Sequence, residues 1–250
     1  MYFCRAALKC PFLIMLVSLS ALAQGVSSPQ TGGFITFRQA LRERHIELTK
    51  DSLTIALRNP DAHVRYFAAL TLAEDKETEA IPAIIDALRS EKVPETKTNI
   101  ALALAEMGQQ EGFATLRKTC DSQDVPASIR LYAVKYMLDL GNESCLGAIF
   151  DVLQSKSDSS TRLLALSLFT RFSHVSEADS KRIVEATVRA LEDPMPDVKL
   201  AASDTLVSLE ATAAIPAVED AIAKETQDSV RSRMEVDLQQ LREIRQKKQP

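Results

Sequence analysis

Hydrophobic and small residues recur along this chain at α-helical spacing, and the pattern itself repeats roughly every 32 residues. In each unit a branched residue or threonine precedes a basic residue, and small or apolar residues follow one helical turn later. The six basic residues are Arg65, Lys97, Arg130, Arg162, Lys199 and Arg231, separated by 32, 33, 32, 37 and 32 positions. One helix pair cannot bury its own apolar face, so this repetition predicts a stack of helix pairs.

The same pattern predicts where the helices lie. Each unit closes with a second helix, predicted over residues 80–89, 111–119, 143–154, 179–191 and 213–224. An irregular pair over 34–44 and 46–57 precedes these units. We expect the extra length of the 37-residue spacing in residues 174–180 and in the double-proline turn 193–197, because loop insertions disturb only one edge of a stack.

A longer helix over residues 228–247 is predicted to cap the array. Its apolar stripe comprises Val230, Met234, Leu238 and Leu241. Charged side chains, Asp237 among them, are expected to cover the rest of the surface. This arrangement is typical of the polar-faced terminal element of a repeat array.

The N-terminal residues carry the features of a secretory signal peptide over 1–23. Arg5 and Lys9 precede an apolar run over 11–22, and a small-x-small cleavage pattern ends at Ala23. The run is shorter than the roughly 20 apolar residues that a membrane-spanning helix needs. Residues 24–33 are rich in Gly, Ser, Pro and Gln and predict a flexible linker before a repeat domain over 34–247. We therefore expect an exported protein, periplasmic or secreted, with no membrane attachment after cleavage.

The charge balance argues against binding to nucleic acid or anionic lipid. Residues 1–23 contain two basic and no acidic side chains, which leaves 28 Lys and Arg against 34 Asp and Glu, a net charge of −6. Phosphate-rich partners require clustered positive charge, which the ordered part of the sequence does not provide. A protein is the remaining class of macromolecular partner.

Two cysteines follow the signal peptide, and their predicted positions argue against a disulfide. Cys120 falls at the end of one second helix and Cys145 at the start of the next. Equivalent helices of a stack run parallel, so these ends are expected on opposite edges, beyond the roughly 7 Å Cα limit for a bridge. Export would permit a disulfide, but we expect two separate buried thiols.

The sequence contains no recognisable catalytic, cofactor or metal site. His45, His63 and His174 are the only imidazoles, and no two of them are four positions apart on a helix. Phosphate-binding glycine loops and nucleophile elbows are also missing. We therefore expect a protein that is not an enzyme and that holds no cofactor.

The repeat unit resembles a known family. The segment from Asp61 to Leu70 reads Asp-x-x-Val-Arg-x-x-Ala-Ala-Leu, residues 197–202 repeat part of it, and Ile-Pro opens the second helices at Ile81 and Ile215. This pattern is similar to the HEAT repeat, in the short bacterial form shared with phycobilisome-lyase-like proteins. The resemblance covers about residues 45–240. It implies an all-α, right-handed α-solenoid of the armadillo/HEAT type with about six two-helix repeats.

The resemblance also implies roles for particular side chains. Asp61 with Arg65, and Asp197 with Lys199, would form a structural ladder between repeats. The second helices would line a concave surface that binds another protein, and the residues expected to present mixed charge there are Asp86, Arg89, Arg182, Glu185, Arg189, Glu219, Asp220 and Lys224. The expected function is a protein-interaction scaffold or adaptor. The alternative is an accessory or lyase-like role in tetrapyrrole attachment or enzyme maturation.

Overall fold

The computed structural model describes residues 36–248, so the predicted signal peptide and linker lie outside the described residues. Within this range the chain forms thirteen α-helices and no strand. None of these helices is both long and apolar enough to cross a membrane. The helices are α1 (Phe37–Glu43), α2 (Lys50–Ala56), α3 (Ala62–Glu74), α4 (Ile81–Ser90), α5 (Pro94–Glu106), α6 (Gln110–Asp121), α7 (Ala127–Asp139), α8 (Leu146–Gln154), α9 (Ser159–Phe169), α10 (Glu177–Ala190), α11 (Pro196–Ser208), α12 (Ile215–Lys224) and α13 (Asp228–Lys248).

The helices are arranged in two layers, which confirms the predicted α-solenoid. The odd-numbered helices, hereafter the first helices, pack side by side in chain order from α1 to α13. Each even-numbered helix, hereafter a second helix, packs against the first helix that follows it. The described residues therefore contain six helix pairs and one closing helix.

Small residues let the first helices approach one another closely. The alanines that follow the repeated basic residues are fully buried, namely Ala68, Ala69, Ala101, Ala133, Ala165 and Ala202. Branched and aromatic side chains such as Leu72, Leu104 and Phe169 fill the space around them and are also inaccessible to solvent. The core is thus one continuous apolar cluster running from α1 to α13.

Local capping sets the ends of the helices. Asp61 caps α3 by accepting a hydrogen bond from the His63 N–H at 2.9 Å, and Asp158 caps α9 in the same way. The first pair is shorter than predicted because Thr36 caps α1 and Thr49 caps α2. Residues 45–48 form the connection, and Ile46 and Leu48 pack on the core from there rather than from a helix.

Four of the six repeated basic residues form ion pairs within their repeat, but the acidic partners predicted for Arg65 and Lys199 are wrong. Asp61 accepts a hydrogen bond from Arg44 rather than from Arg65. Four of the six ladder bases instead meet an acid that lies in the second helix of their own repeat or just after it. The pairs are Arg65–Glu91 at 2.7 Å, Arg130–Asp151 at 2.8 Å, Arg162–Asp193 at 2.7 Å and Lys199–Glu225 at 2.6 Å.

These acids also hold the turn that leads into the next repeat. Glu91 accepts hydrogen bonds from the backbone N–H groups of Lys92 and Val93, both at 2.8 Å, and Glu225 does the same for the two residues that follow it. Burial raises the pKa of Glu91, but the bonds from Arg65 and from the backbone outweigh it and leave the pKa below its ordinary value. One carboxylate therefore joins the two helices of a repeat and fixes the path to the next.

Cys120 and Cys145 form a disulfide with their Cα atoms 5.9 Å apart, so the prediction of two separate thiols is wrong. That prediction assumed that α6 and α8 run alongside each other in register. Instead the carboxyl end of α6 meets the side of α8. Gln123, just beyond α6, donates a 2.8 Å hydrogen bond to Asp151 in the second half of α8, while Cys120 reaches the residue before its start. These two contacts place the carboxyl end of α6 beside the start and the middle of α8.

The last helix caps the array as predicted, with one exception. Val230, Met234, Leu238 and Leu241 are all buried against the preceding repeat. Asp237, expected on the charged face, is only 1% exposed. Its Oδ2 has no hydrogen-bond partner among the described residues, and Arg233 lies 3.8 Å away. Burial raises the pKa of this carboxyl.

Candidate protein-binding surface

The eight residues predicted to bind a partner are all exposed, and they lie on three second helices. They fall into separate groups rather than one site. Asp86 and Arg89 lie on α4, Arg182, Glu185 and Arg189 on α10, and Glu219, Asp220 and Lys224 on α12. The α4 group is separated along the chain from the α10 and α12 groups by α6 and α8.

Several of these charges are already paired within the chain. Arg89 makes two hydrogen bonds to Glu111 of α6, at 3.0 and 3.1 Å, and this bonding raises the pKa of Arg89. Glu219 accepts a 2.8 Å bond from Arg242 of α13. Lys224 pairs with Asp220 at 2.6 Å. These contacts link side chains on the outer surface and leave less of their charge for a partner.

The three residues on α10 differ in their surroundings. The Arg182 guanidinium lies 4.4 Å from the centre of the Phe150 ring and donates to Asp179 at 2.9 Å. Glu185 and Arg189 form no ion pair with any residue in the range 36–248. Both side chains line a cleft between α10 and α12. The structure therefore separates one structural arginine from two charges that remain free to meet a ligand.

The cleft between α10 and α12 has a volume of about 680 Å³ and an apolar wall bordered by charge. Its apolar lining comprises Val184, Val188, Ala213, Ala214 and Ala217. The charged side chains around it are Glu177, Lys181, Glu185 and Arg189. Both signs of charge are present, so the cleft suits a segment that carries an apolar side chain between groups of opposite charge.

The two helices that border the cleft, α10 and α12, differ in length. The former has 14 residues and the latter 10. The additional length of this repeat was predicted in residues 174–180, but residues 177–180 form the first turn of α10 and extend the helix instead. The short 3₁₀ turn Thr212–Ala214 precedes α12, and its alanines are too small to fill the space beside the longer helix.

Sequence reasoning identified two of the cleft residues and missed its apolar lining. Val184 and Val188 are one turn apart on α10 and half-buried, next to the predicted Glu185 and Arg189. That spacing was a usable signal, because the buried positions Ile183 and Ala186 already account for the core face of the helix. In residues 36–248 no group of three or more His, Cys, Asp or Glu side chains could hold a metal ion.

The chain is similar to one family of repeat proteins over part of its length and, more weakly, to several solved structures. Residues 51–130 match the family model of HEAT repeats. A solved engineered protein is 22% identical, with 78% of this chain and 96% of that chain covered and a TM-score of 0.45. A designed armadillo repeat protein is 17% identical, with coverages of 77% and 100% and a TM-score of 0.46.

A third solved structure, the complex of CpcE and CpcF of phycocyanin lyase from a Nostoc species, is 16% identical, with coverages of 90% and 98% and a TM-score of 0.44. No curated protein matches the chain. At TM-scores below 0.5 these solved structures carry no weight, so the assignment rests on the family match and the stacked helix pairs. Residues 51–130 are similar to HEAT repeats, and residues 36–248 fold as an α-solenoid of stacked helix pairs.

Proposed function

We propose that this protein is an exported, non-catalytic scaffold that binds another protein through the cleft between α10 and α12. The observation that carries the proposal is the combination of an apolar wall with two charges, Glu185 and Arg189, that have no ionic partner among the described residues. Solenoids commonly present such extended surfaces to protein partners.

The proposed occupant is a peptide segment of the partner with one apolar side chain between an acidic and a basic residue. The apolar side chain would pack on Val184 and Val188. Its acidic neighbour would face Arg189 and its basic neighbour would face Glu185. These two residues are four apart on α10, so both point from the same side of the helix. Burial of the apolar side chain would supply affinity, and the charges would fix its direction.

Site-directed photo-crosslinking in the producing cell tests this proposal. A photoreactive amino acid in place of Val188 is expected to form a discrete protein adduct, while the same amino acid in place of Arg117 on α6 is not. Adding Arg189→Glu to the protein that carries the photoreactive amino acid at position 188 should abolish the adduct. Lys118→Glu, which changes the charge equally on another second helix, should leave it intact. An adduct indifferent to Arg189→Glu, or none at all, would overturn the proposal.

Export is the second component of the proposal. It is supported by the signal-peptide pattern in residues 1–23 and by the Cys120–Cys145 disulfide, since disulfides persist mainly in oxidising compartments. Sequencing the N-terminus of the protein recovered from the producing cell is expected to give a chain that starts at Gln24, in the envelope or medium. A chain that retains residues 1–23 and stays in the cytosol would refute this component.

Absorbance spectroscopy can distinguish the scaffold role from the alternative role in tetrapyrrole attachment. Under the scaffold proposal, the purified protein leaves the spectrum of an added tetrapyrrole unchanged. A spectral shift that saturates at one tetrapyrrole per chain would favour the alternative instead. Repeating the titration with Arg189→Glu would show whether the same cleft is responsible.

A further inference from the structure

A second cleft, lined by aromatic side chains, lies among the first helices. Phe37 of α1, Tyr66 of α3, and Tyr132 and Tyr136 of α7 surround a volume of about 200 Å³. Glu95 is the one charged residue among its described lining residues. This cleft shares no residue with the one between α10 and α12.

The cleft forms because α5 carries short polar side chains between two helices that carry large rings. Thr98 and Asn99 lie one turn beyond Glu95 on α5 and line the cleft. The Tyr136 hydroxyl donates a 2.8 Å hydrogen bond to Asn99 Oδ1, which fixes the orientation of that ring. The Tyr132 ring centre lies 6.3 Å from that of Tyr136, and Tyr132 is 47% exposed. One wall is thus rigid and the other open to solvent.

The electrostatic character of the cleft favours a positive charge. Aromatic rings present a negative face to a ligand, and Glu95 adds a full negative charge with no ionic partner in residues 36–248. Burial raises the pKa of Tyr136 to about 12 and also raises the pKa of Tyr66. Both phenols therefore stay neutral at physiological pH, and the carboxylate is the only formal charge in the lining.

One basic side chain lies near the Tyr136 ring and another near Phe67, whose ring centre is 4.5 Å from that of Tyr66, but neither lines the cleft. Lys135 Nζ is 5.7 Å from the centre of the Tyr136 ring and pairs with Asp139 at 2.8 Å. Arg44 lies 5.9 Å from the centre of the Phe67 ring and pairs with Asp61 at 3.3 Å. Both cations are thus held by other acids, and Glu95 has neither of them as a partner.

We propose that this aromatic cleft binds an organic ammonium cation, with the charge over the rings of Tyr66, Tyr132 and Tyr136 and beside Glu95. The combination of several aromatic faces with one carboxylate suits a quaternary or alkylated ammonium group. The cleft holds several times the roughly 30 Å³ that one water occupies. A calcium or magnesium ion would require more oxygen ligands than the single carboxylate supplies. The source of the ammonium is either a free small molecule or a lysine side chain of a partner.

Calorimetric titration with matched probes tests the proposal on the full protein. Choline represents the free cation, its uncharged tert-butyl isostere is the control, and an acetylated, amidated trimethyl-lysine represents the side chain. We expect at least one cation to bind about tenfold or more tightly than the isostere. The tighter of the two cations identifies the source. If neither cation binds more tightly than the isostere, the proposal is overturned.

Three substitutions in the cleft and one control in the other cleft then locate the site. Tyr132→Leu should weaken binding roughly threefold to tenfold, while Tyr132→Phe should retain it because the ring remains. Glu95→Gln should weaken binding by a similar factor. Glu185→Gln, a matched loss of one carboxylate in the other cleft, should have no effect. A Tyr132→Leu protein that stays folded by circular dichroism and binds the cation normally would refute the site.

Discussion

The two layers of helices use the same kind of side chain for opposite purposes. In the first helices, Arg65 is 18% exposed and meets Glu91, which is 2% exposed. In the second helices, Arg89 is 66% exposed and meets Glu111, which is 35% exposed. Both are arginine–glutamate pairs with two hydrogen bonds, so burial is what differs. The buried layer sets the period of the sequence, whereas the exposed layer is free to vary and can carry specificity.

The largest expected effect comes from breaking a buried pair that joins a first helix to the second helix of its repeat. Glu91→Ala removes one partner of the pair and leaves the Arg65 guanidinium and two backbone N–H groups without their acceptor. We expect a loss of about 3–5 kcal/mol in the free energy of unfolding, measured by denaturant titration. Glu111→Ala is the matched control in the second layer and should cost far less. Equal losses would contradict the distinction between the layers.

The pH dependence of the Glu91 effect has a defined sign. The pKa of Glu91 in the folded protein lies below its ordinary value, so its contribution is fully present above about pH 4.3 and is lost as the pH falls through the folded value. The stability difference between the wild type and Glu91→Ala should therefore be constant near pH 7 and shrink below about pH 4. A difference that grows in acid would contradict the assignment.

Substitutions at two glycines, Gly112 and Gly147, test how closely the two layers of helices approach each other. A Cβ at Gly112 of α6 would lie 2.5 Å from backbone atoms of both Ala101 and Ala105 in α5, whereas a Cβ at Gly147 of α8 would meet nothing within 4 Å. We expect Gly112→Ala to cost about 3 kcal/mol in unfolding free energy. Gly147→Ala should stabilise the protein by roughly 0.5–1 kcal/mol, because alanine favours a helix. Effects of the same sign would contradict the packing.

Asp237 offers a smaller effect of the opposite sign. Asp237→Asn removes a buried charge whose Oδ2 has no hydrogen-bond partner among the described residues, so we expect a gain of about 1 kcal/mol at pH 7. Because the folded pKa is raised, the gain should disappear as the pH falls below the ordinary aspartate value of about 3.9. Thermal unfolding at pH 7 and pH 3 measures both. A destabilised variant at pH 7 would show that the carboxylate is needed.

The smallest effect on stability is expected at the exposed charges of the second layer. Asp86→Lys reverses a charge that forms no ion pair in residues 36–248. Its unfolding midpoint should equal that of the wild type within error. A clear loss of stability there would mean that the second layer also contributes to the fold.

The helix positions and the basic side of the ladder could be predicted from sequence because both follow local periodicity. The acidic side could not. The acids lie 26, 21, 31 and 26 residues after their bases, in or just after second helices of unequal length, so no fixed spacing marks them. The disulfide was missed for a related reason. It depends on how the end of α6 lies against α8, which a repeat pattern does not specify.

Asp237 was misplaced for a different reason. Val230, Met234, Asp237 and Leu241 are spaced by four, three and four positions, which is the stripe of one helix face. The periodicity therefore predicts that Asp237 is buried. Its charged side chain led instead to the wrong prediction of an exposed position. The clefts illustrate a further limit: each depends on the relative length or bulk of neighbouring helices, and only part of their lining was identifiable from one sequence.

The disulfide limits how the solenoid can unfold under force. An array of repeats can unravel from either end, because each repeat is held chiefly by its neighbours. The link between Cys120 and Cys145 ties the third repeat to the fourth, so those two must open together. Under tension, the segment of 25 positions between the cysteines cannot be extended. Its extended length of roughly 80–90 Å is therefore released only after the bond is reduced. The repeats on either side of the disulfide can thus be extended by force, whereas the segment between the two cysteines cannot.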